Sequence, residues 1–130
     1  MSENVDALKG GYDAFNSGDV EKLAGVFAED VHWEGSRDER VPGAGTFDSR
    51  DDVLTALGRA VEAFESFSSQ PDEWIEDGDT VVVLGHTEGR TKSGNDLKVP
   101  FTHVWRMSDG TIQRGQVLTD TSLVLEALEG

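Results

Sequence analysis

The stretch from Phe101 to Asp120, FTHVWRMSDGTIQRGQVLTD, limits what this chain can fold into more than any other. A β-branched and aromatic run reaches Met107, Asp109-Gly110 interrupts it, and a second run leaves from Ile112. Asp-Gly between two such runs predicts a hairpin, because both turn residues tolerate positive φ. A two-residue turn sets Met107 opposite Ile112, Trp105 opposite Arg114, His103 opposite Gln116 and Thr102 opposite Val117. Alternation then gives one face with Phe101, His103, Trp105, Met107, Ile112, Gln116 and Leu118. The other carries Thr102, Val104, Arg106, Gln113, Gly115, Val117 and Thr119. Neither face is simply polar, so the hairpin is expected to be covered on both sides. The functional question is which face lines a cavity.

A chain of 130 residues suits one domain with one core. It has no cysteine, which excludes disulfides, thiol nucleophiles and thiolate metal sites. No apolar run approaches the roughly 20 residues of a membrane span. The start, MSENVDALKGGY, lacks the basic and apolar regions of a secretory signal, so a cytoplasmic protein is expected. The formal charge of −15 argues against nucleic acid or an anionic membrane as partner. The acidic residues are spread along the chain, and the only lysines are Lys9, Lys22, Lys92 and Lys98. Such a surface suits a high-salt cytoplasm, though an ordinary acidic protein accounts for it equally well.

Along the chain, Val5, Leu8, Tyr12 and Phe15 form one stripe of an amphipathic helix that Asn16-Ser17-Gly18 should end. Asp19 then caps a short second helix that turns Leu23, Val26 and Phe27 inward. Val31 to Glu34 reads as a short strand, followed by a polar loop from Gly35 to Gly45. Ser49 and Asp52 resemble a capping box before a third helix with Val53, Leu54, Leu57, Ala60, Val61 and Phe64 on its stripe. Four strands follow: about 67–76, 80–91, 97–107 and the return arm of the hairpin. Asp120 or Thr121 should cap a last helix. Helices on one face of a curved antiparallel sheet make an α+β arrangement; the other face must be solvated or covered by a partner, and aromatics such as Trp105 there would favour a homodimer.

With the elements in this order, YDAFNSGDVEKLAGVFAEDVHWEG near the start and FTHVWRMSDGTIQRGQVLTDT near the end resemble the SnoaL-like branch of the nuclear transport factor 2 superfamily. The resemblance covers nearly the whole chain. It implies a cone-shaped curved antiparallel sheet with the N-terminal helices on its concave face. It says little about function, because isomerases, cyclases, dehydratases, epoxide hydrolases and non-catalytic binders share the fold. The catalytic positions of ketosteroid isomerases fall on Gly11, Gly35 and Thr102, none of which can do that chemistry. The acid of polyketide cyclases and limonene-type epoxide hydrolases falls on Val117. Asp120 matches a later family aspartate and reads as a helix cap.

The resemblance further implies that Thr102, Val104, Arg106 and Val117 face the cavity with Trp33, Val82, Leu84 and His86, and with Tyr12 as an aromatic wall. Such a pocket suits a small hydrophobic or aromatic ligand held by one or two polar contacts. His86 with Glu88 is the best remaining acid–base pair, although a solvated strand end is the plainer account of it. The resemblance would let His103 hydrogen-bond a ligand, but the register puts it on the opposite face, where a dimer contact is the favoured role; His32 falls on the surface. Three scattered histidines give no metal site, and no cofactor is implied. Three functions stay open: a small-molecule binder, an isomerase or hydrolase using His86 and Glu88, and a dimeric association module using the outer sheet face.

Overall fold

The computed structural model describes residues 2–130. The Ser2 hydroxyl accepts a hydrogen bond from the Val5 backbone N–H at 3.0 Å and starts helix α1 (Glu3–Ser17). Gly18, at φ 77°, ends it in the left-handed conformation that a glycine reaches without strain. Asp19 caps α2 (Val20–Ala24) and Ser49 caps α3 (Arg50–Glu62), each side chain accepting from the backbone N–H three residues on. The Asp120 carboxylate receives the Ser122 hydroxyl at 2.7 Å and the Leu123 N–H at 3.3 Å, and so caps α4 (Thr121–Glu129). These bonds hold its pKa below the usual carboxylate range.

The strands are β1 (Phe27–Glu34), β2 (Thr46–Phe47), β3 (Phe64–Asp77), β4 (Thr80–Thr91), β5 (Asp96–Ser108) and β6 (Thr111–Thr119). They form one curved, unclosed sheet in the order β2-β1-β6-β5-β4-β3. The α+β class stands, with one departure from a wholly antiparallel sheet: β1 runs parallel to β6. The chain can pair them this way because α3 and four strands intervene before it returns to the edge of β1. β1 also starts at Phe27, before the expected Val31, with an irregularity between Phe27 and His32 that hides its alternation in the sequence.

The core lies between the helices and one sheet face. Val5, Leu8 and Tyr12 from α1 and Val53 from α3 meet Val81 and Val83 from β4 and the aromatic row of β5. Val31, Val53, Val81 and Val83 are fully buried, and such burial stabilises by about 1.5–3 kcal/mol per side chain.

The hairpin turns as expected through Asp109 at φ 50° and Gly110 at φ 74°, with Met107 opposite Ile112. Beyond that pair the register shifts: Arg106 faces Arg114, Trp105 faces Gly115, and His103 faces Val117. One extra residue, Gln113, bulges out and reverses the faces of β6 relative to an unbroken ladder. Val117 therefore joins the face of Phe101, His103, Trp105 and Met107, and this is the face that packs on the helices.

Candidate functional site

Between α1, α3 and the inner sheet face lies an internal cavity with two adjoining lobes, of about 70 and about 130 Å³. The first is walled by apolar and aromatic side chains such as Leu8, Tyr12, Phe27, Trp105 and Ile112. The second reaches toward the Gly35–Gly45 loop and α4, past Val41, Pro42, Phe67, Leu97 and Val124. Phe15, Trp33, Leu57, Ser69 and His103 border both lobes and form the waist between them. Backbone bonds from Gly35 N–H to the Gly45 carbonyl and from Gly45 N–H to the Ser36 carbonyl, both 2.9 Å, close the neck of the loop. Gly43 presses against α3, where a Cβ would lie 2.8 Å from the Ala56 carbonyl oxygen.

At the waist, one buried network orients the ionisable groups. The Trp105 Nε1–H donates to the Tyr12 hydroxyl at 3.1 Å, and that hydroxyl lies 2.6 Å from His103 Nδ1. Among the described residues Nδ1 is the acceptor within reach of the tyrosine proton, which assigns the histidine proton to Nε2. The His103 ring stacks on Phe101 with centroids 3.8 Å apart and planes 2° from parallel. Burial without a charged partner pulls the His103 pKa from 6.5 down to about 3, so the ring is neutral at physiological pH. Burial likewise pushes the Tyr12 hydroxyl up, against a smaller opposing effect of the Trp105 hydrogen bond. The site can therefore donate a hydrogen bond, but it holds no base poised near neutrality.

Of the expected pocket residues, Tyr12, Trp33 and Val117 border the cavity. Val82, Leu84, Thr102, Val104 and Arg106 do not: they alternate with buried Val81, Val83, His103 and Trp105 and lie on the outer sheet face. Without a bulge, Thr102 and Val117 would share a face; the bulge at Gln113 separates them, and only Val117 turns inward. His103 and Trp105, expected on the dimer face, instead face inward and line the cavity wall. The more apolar face of β5, Phe101-His103-Trp105-Met107, carried the signal that it belongs inside.

His86 and Glu88 do meet, Nε2 to Oε1 at 3.1 Å, and Asp72 takes the other ring nitrogen at 2.8 Å. The trio sits on the outer face of β3 and β4, apart from both lobes. Asp72 and then Glu88 raise the His86 pKa. His32 is held in the same way, by Asp48 at 2.6 Å and Glu34 at 3.4 Å. Among the described residues, no group of three or more His, Asp or Glu side chains is arranged to hold a metal ion.

Compared with known families, residues 8–115 match the model of the SnoaL-like domain. No curated protein matches the chain. Among solved structures, TerC co-crystallised with polyporic acid is 28% identical, with a TM-score of 0.92 over 99% of this chain and 100% of that one. An NTF2-like protein of unknown function from Burkholderia pseudomallei is 27% identical, with a TM-score of 0.92 and full coverage of both chains. A protein with a ketosteroid isomerase-like fold from Catenulispora acidiphila, in complex with trimethylamine, is 18% identical. Its TM-score is 0.80 over 95% of this chain and 92% of that one, a likeness of fold.

Proposed function

The chain belongs to the SnoaL-like domain family, and from that premise we propose that it binds a small hydrophobic or aromatic molecule in its internal cavity. The observation that carries this reading is the two-lobed, aromatic-walled space with neutral His103 at its waist. A similar protein, TerC, co-crystallised with polyporic acid, supports a ligand-holding role for the fold. A neutral fluorescent probe such as N-phenyl-1-naphthylamine should bind saturably, at one site per chain. Leu57→Trp, which fills the waist, should abolish that binding while a cooperative unfolding transition remains. Absence of saturable binding to the unmodified chain would count against a ligand pocket. An enzyme working through His86 and Glu88 draws no support from this cavity, since neither residue borders it.

A second reading concerns the outer sheet face: we infer that it pairs with a second copy of this chain. Ile75 is 48% exposed and Leu118 49% exposed, with Val82, Leu84 and Val104 between them in the ladder. Beside this apolar centre stand Arg106 and Arg114, directly opposed and without a carboxylate partner among the described residues. Toward the other end stand Asp72, Glu73 and Glu88. A two-fold axis lying between stacked faces, perpendicular to the line joining the two ends, sets each copy's arginines over the other's carboxylates. Light scattering at roughly 10 µM should give the mass of a dimer, and of a monomer for Arg106→Glu with Arg114→Glu. A monomeric parent chain would remove the pairing.

A further inference from the structure

The polar groups of the cavity specify the ligand's chemistry more closely than its size does. Two buried N–H groups at the waist have no hydrogen-bond partner among the described residues. They are His103 Nε2–H, on a residue 8% exposed, and Trp33 Nε1–H, on a residue 5% exposed. No fully enclosed side-chain nitrogen or oxygen lacks a partner among the described residues, so both N–H groups must face open space. Both residues border both lobes of the cavity. The Trp33 Nε1 lies beside Gly35, where a Cβ would come within 3.3 Å of it; glycine there leaves the approach to the indole N–H clear. The Ser69 hydroxyl, also without a partner among the described residues, stands at the same waist.

What the wall lacks is equally specific. No Asp, Glu, Lys, Arg, Asn or Gln side chain among the described residues borders either lobe. A buried ammonium would find no carboxylate there, and a buried carboxylate no cation. The Tyr12 hydroxyl is already engaged with Trp105 and His103. An apolar ligand without acceptors would leave two N–H groups dry and unpaired, a loss comparable to a missing hydrogen bond at each.

We propose that the ligand is an uncharged ring compound carrying a carbonyl oxygen, seated at the waist so that the oxygen accepts from His103 Nε2–H or Trp33 Nε1–H while the ring fills an apolar lobe. This rests on the pocket reading above and adds the ligand's charge and acceptor to it. His103 is well placed because its tautomer is locked: the Trp105-to-Tyr12-to-His103 chain keeps the proton on the nitrogen that faces the ligand.

Four probes of one shape separate the cases: 1-indanone, indane, 2-aminoindane as the cation, and indane-2-carboxylate as the anion. Titration into the full chain, followed by ¹⁵N–¹H correlation of the three indole N–H groups, reads affinity and contact together. The ketone should bind roughly tenfold more tightly than indane, with the charged probes weakest. The Trp33 indole signal should move more with the ketone than with the hydrocarbon. His103→Phe, which keeps a ring against Phe101, should bring ketone and hydrocarbon to within roughly threefold of each other. Should that variant fail to fold, Trp33→Phe supplies the same comparison. Indane binding as well as the ketone, or a charged probe binding best, would overturn the proposal and leave the pocket reading in place. No binding by any of the four would overturn both.

Discussion

His103 is the residue whose environment most affects the molecule. It is neutral when folded, with a pKa near 3, and reverts to about 6.5 when the chain unfolds. Below pH 6.5 the unfolded chain therefore takes up a proton that the folded chain refuses. This contribution to stability is complete above pH 6.5 and is lost progressively as the pH falls toward 3, by about 1.4 kcal/mol per unit at most. His32 and His86 act in the opposite sense. Their carboxylate partners raise their pKa values, so their contribution is present below pH 6.5 and fades as the pH rises through the raised values. Both are partly exposed, and solvent screening keeps their effect small. Denaturant unfolding between about pH 4 and 7 should lose stability toward acid, with the slope reduced by about one proton in His103→Phe. An unchanged slope in that variant would show that His103 is not the buried neutral group described.

At the scale of elements, the hairpin is organised by its bulge. Gln113 and Arg114 occupy two successive positions between the inward-facing Ile112 and Gly115. Deleting Gln113 would leave Ile112, Gly115 and Val117 inward in a regular ladder, at an expected cost of about 1–2 kcal/mol. Deleting Gln116 would turn Val117 outward and Leu118 inward, and should cost more than about 3 kcal/mol or prevent folding. Thermal unfolding followed by circular dichroism compares the two; equal effects would remove the bulge from the account. The inner face tolerates no such slip because Gly115 sits where a Cβ would come within 2.7 Å of Trp105 and 3.0 Å of Trp33.

Over the whole molecule, net charge opposes compactness. A charge of −15 on 130 residues makes the folded state repel itself, and the described ion pairs are few and mostly exposed. Salt shortens the range of that repulsion. The unfolding midpoint should therefore rise as sodium chloride goes from about 0.1 to 1 M, readable by scanning calorimetry. A midpoint that falls would mean that specific ion pairs outweigh the general repulsion.

Local chemistry made much of this protein legible without tertiary structure. The caps at Asp19, Ser49 and Asp120, the Asp109-Gly110 turn and the stripe of α1 all act within a few residues, so the sequence by itself determined them; the expected stripe of α3 overran its end, since Val61 is exposed and Phe64 already begins β3. The class of fold followed from their order. Tyr12 and Trp33 were legible as cavity walls through the family resemblance, but Thr102, Val104 and Arg106 were not correctly placed. A one-residue bulge leaves little trace in a segment as polar as Gln113-Arg114, yet it decides which half of β6 turns inward. The parallel pairing of β1 with β6 and the meeting of Tyr12 with His103 were likewise decided only in the tertiary structure. Each depends on segments about 80 to 90 residues apart, and propensity and periodicity carry no information about contacts at that separation.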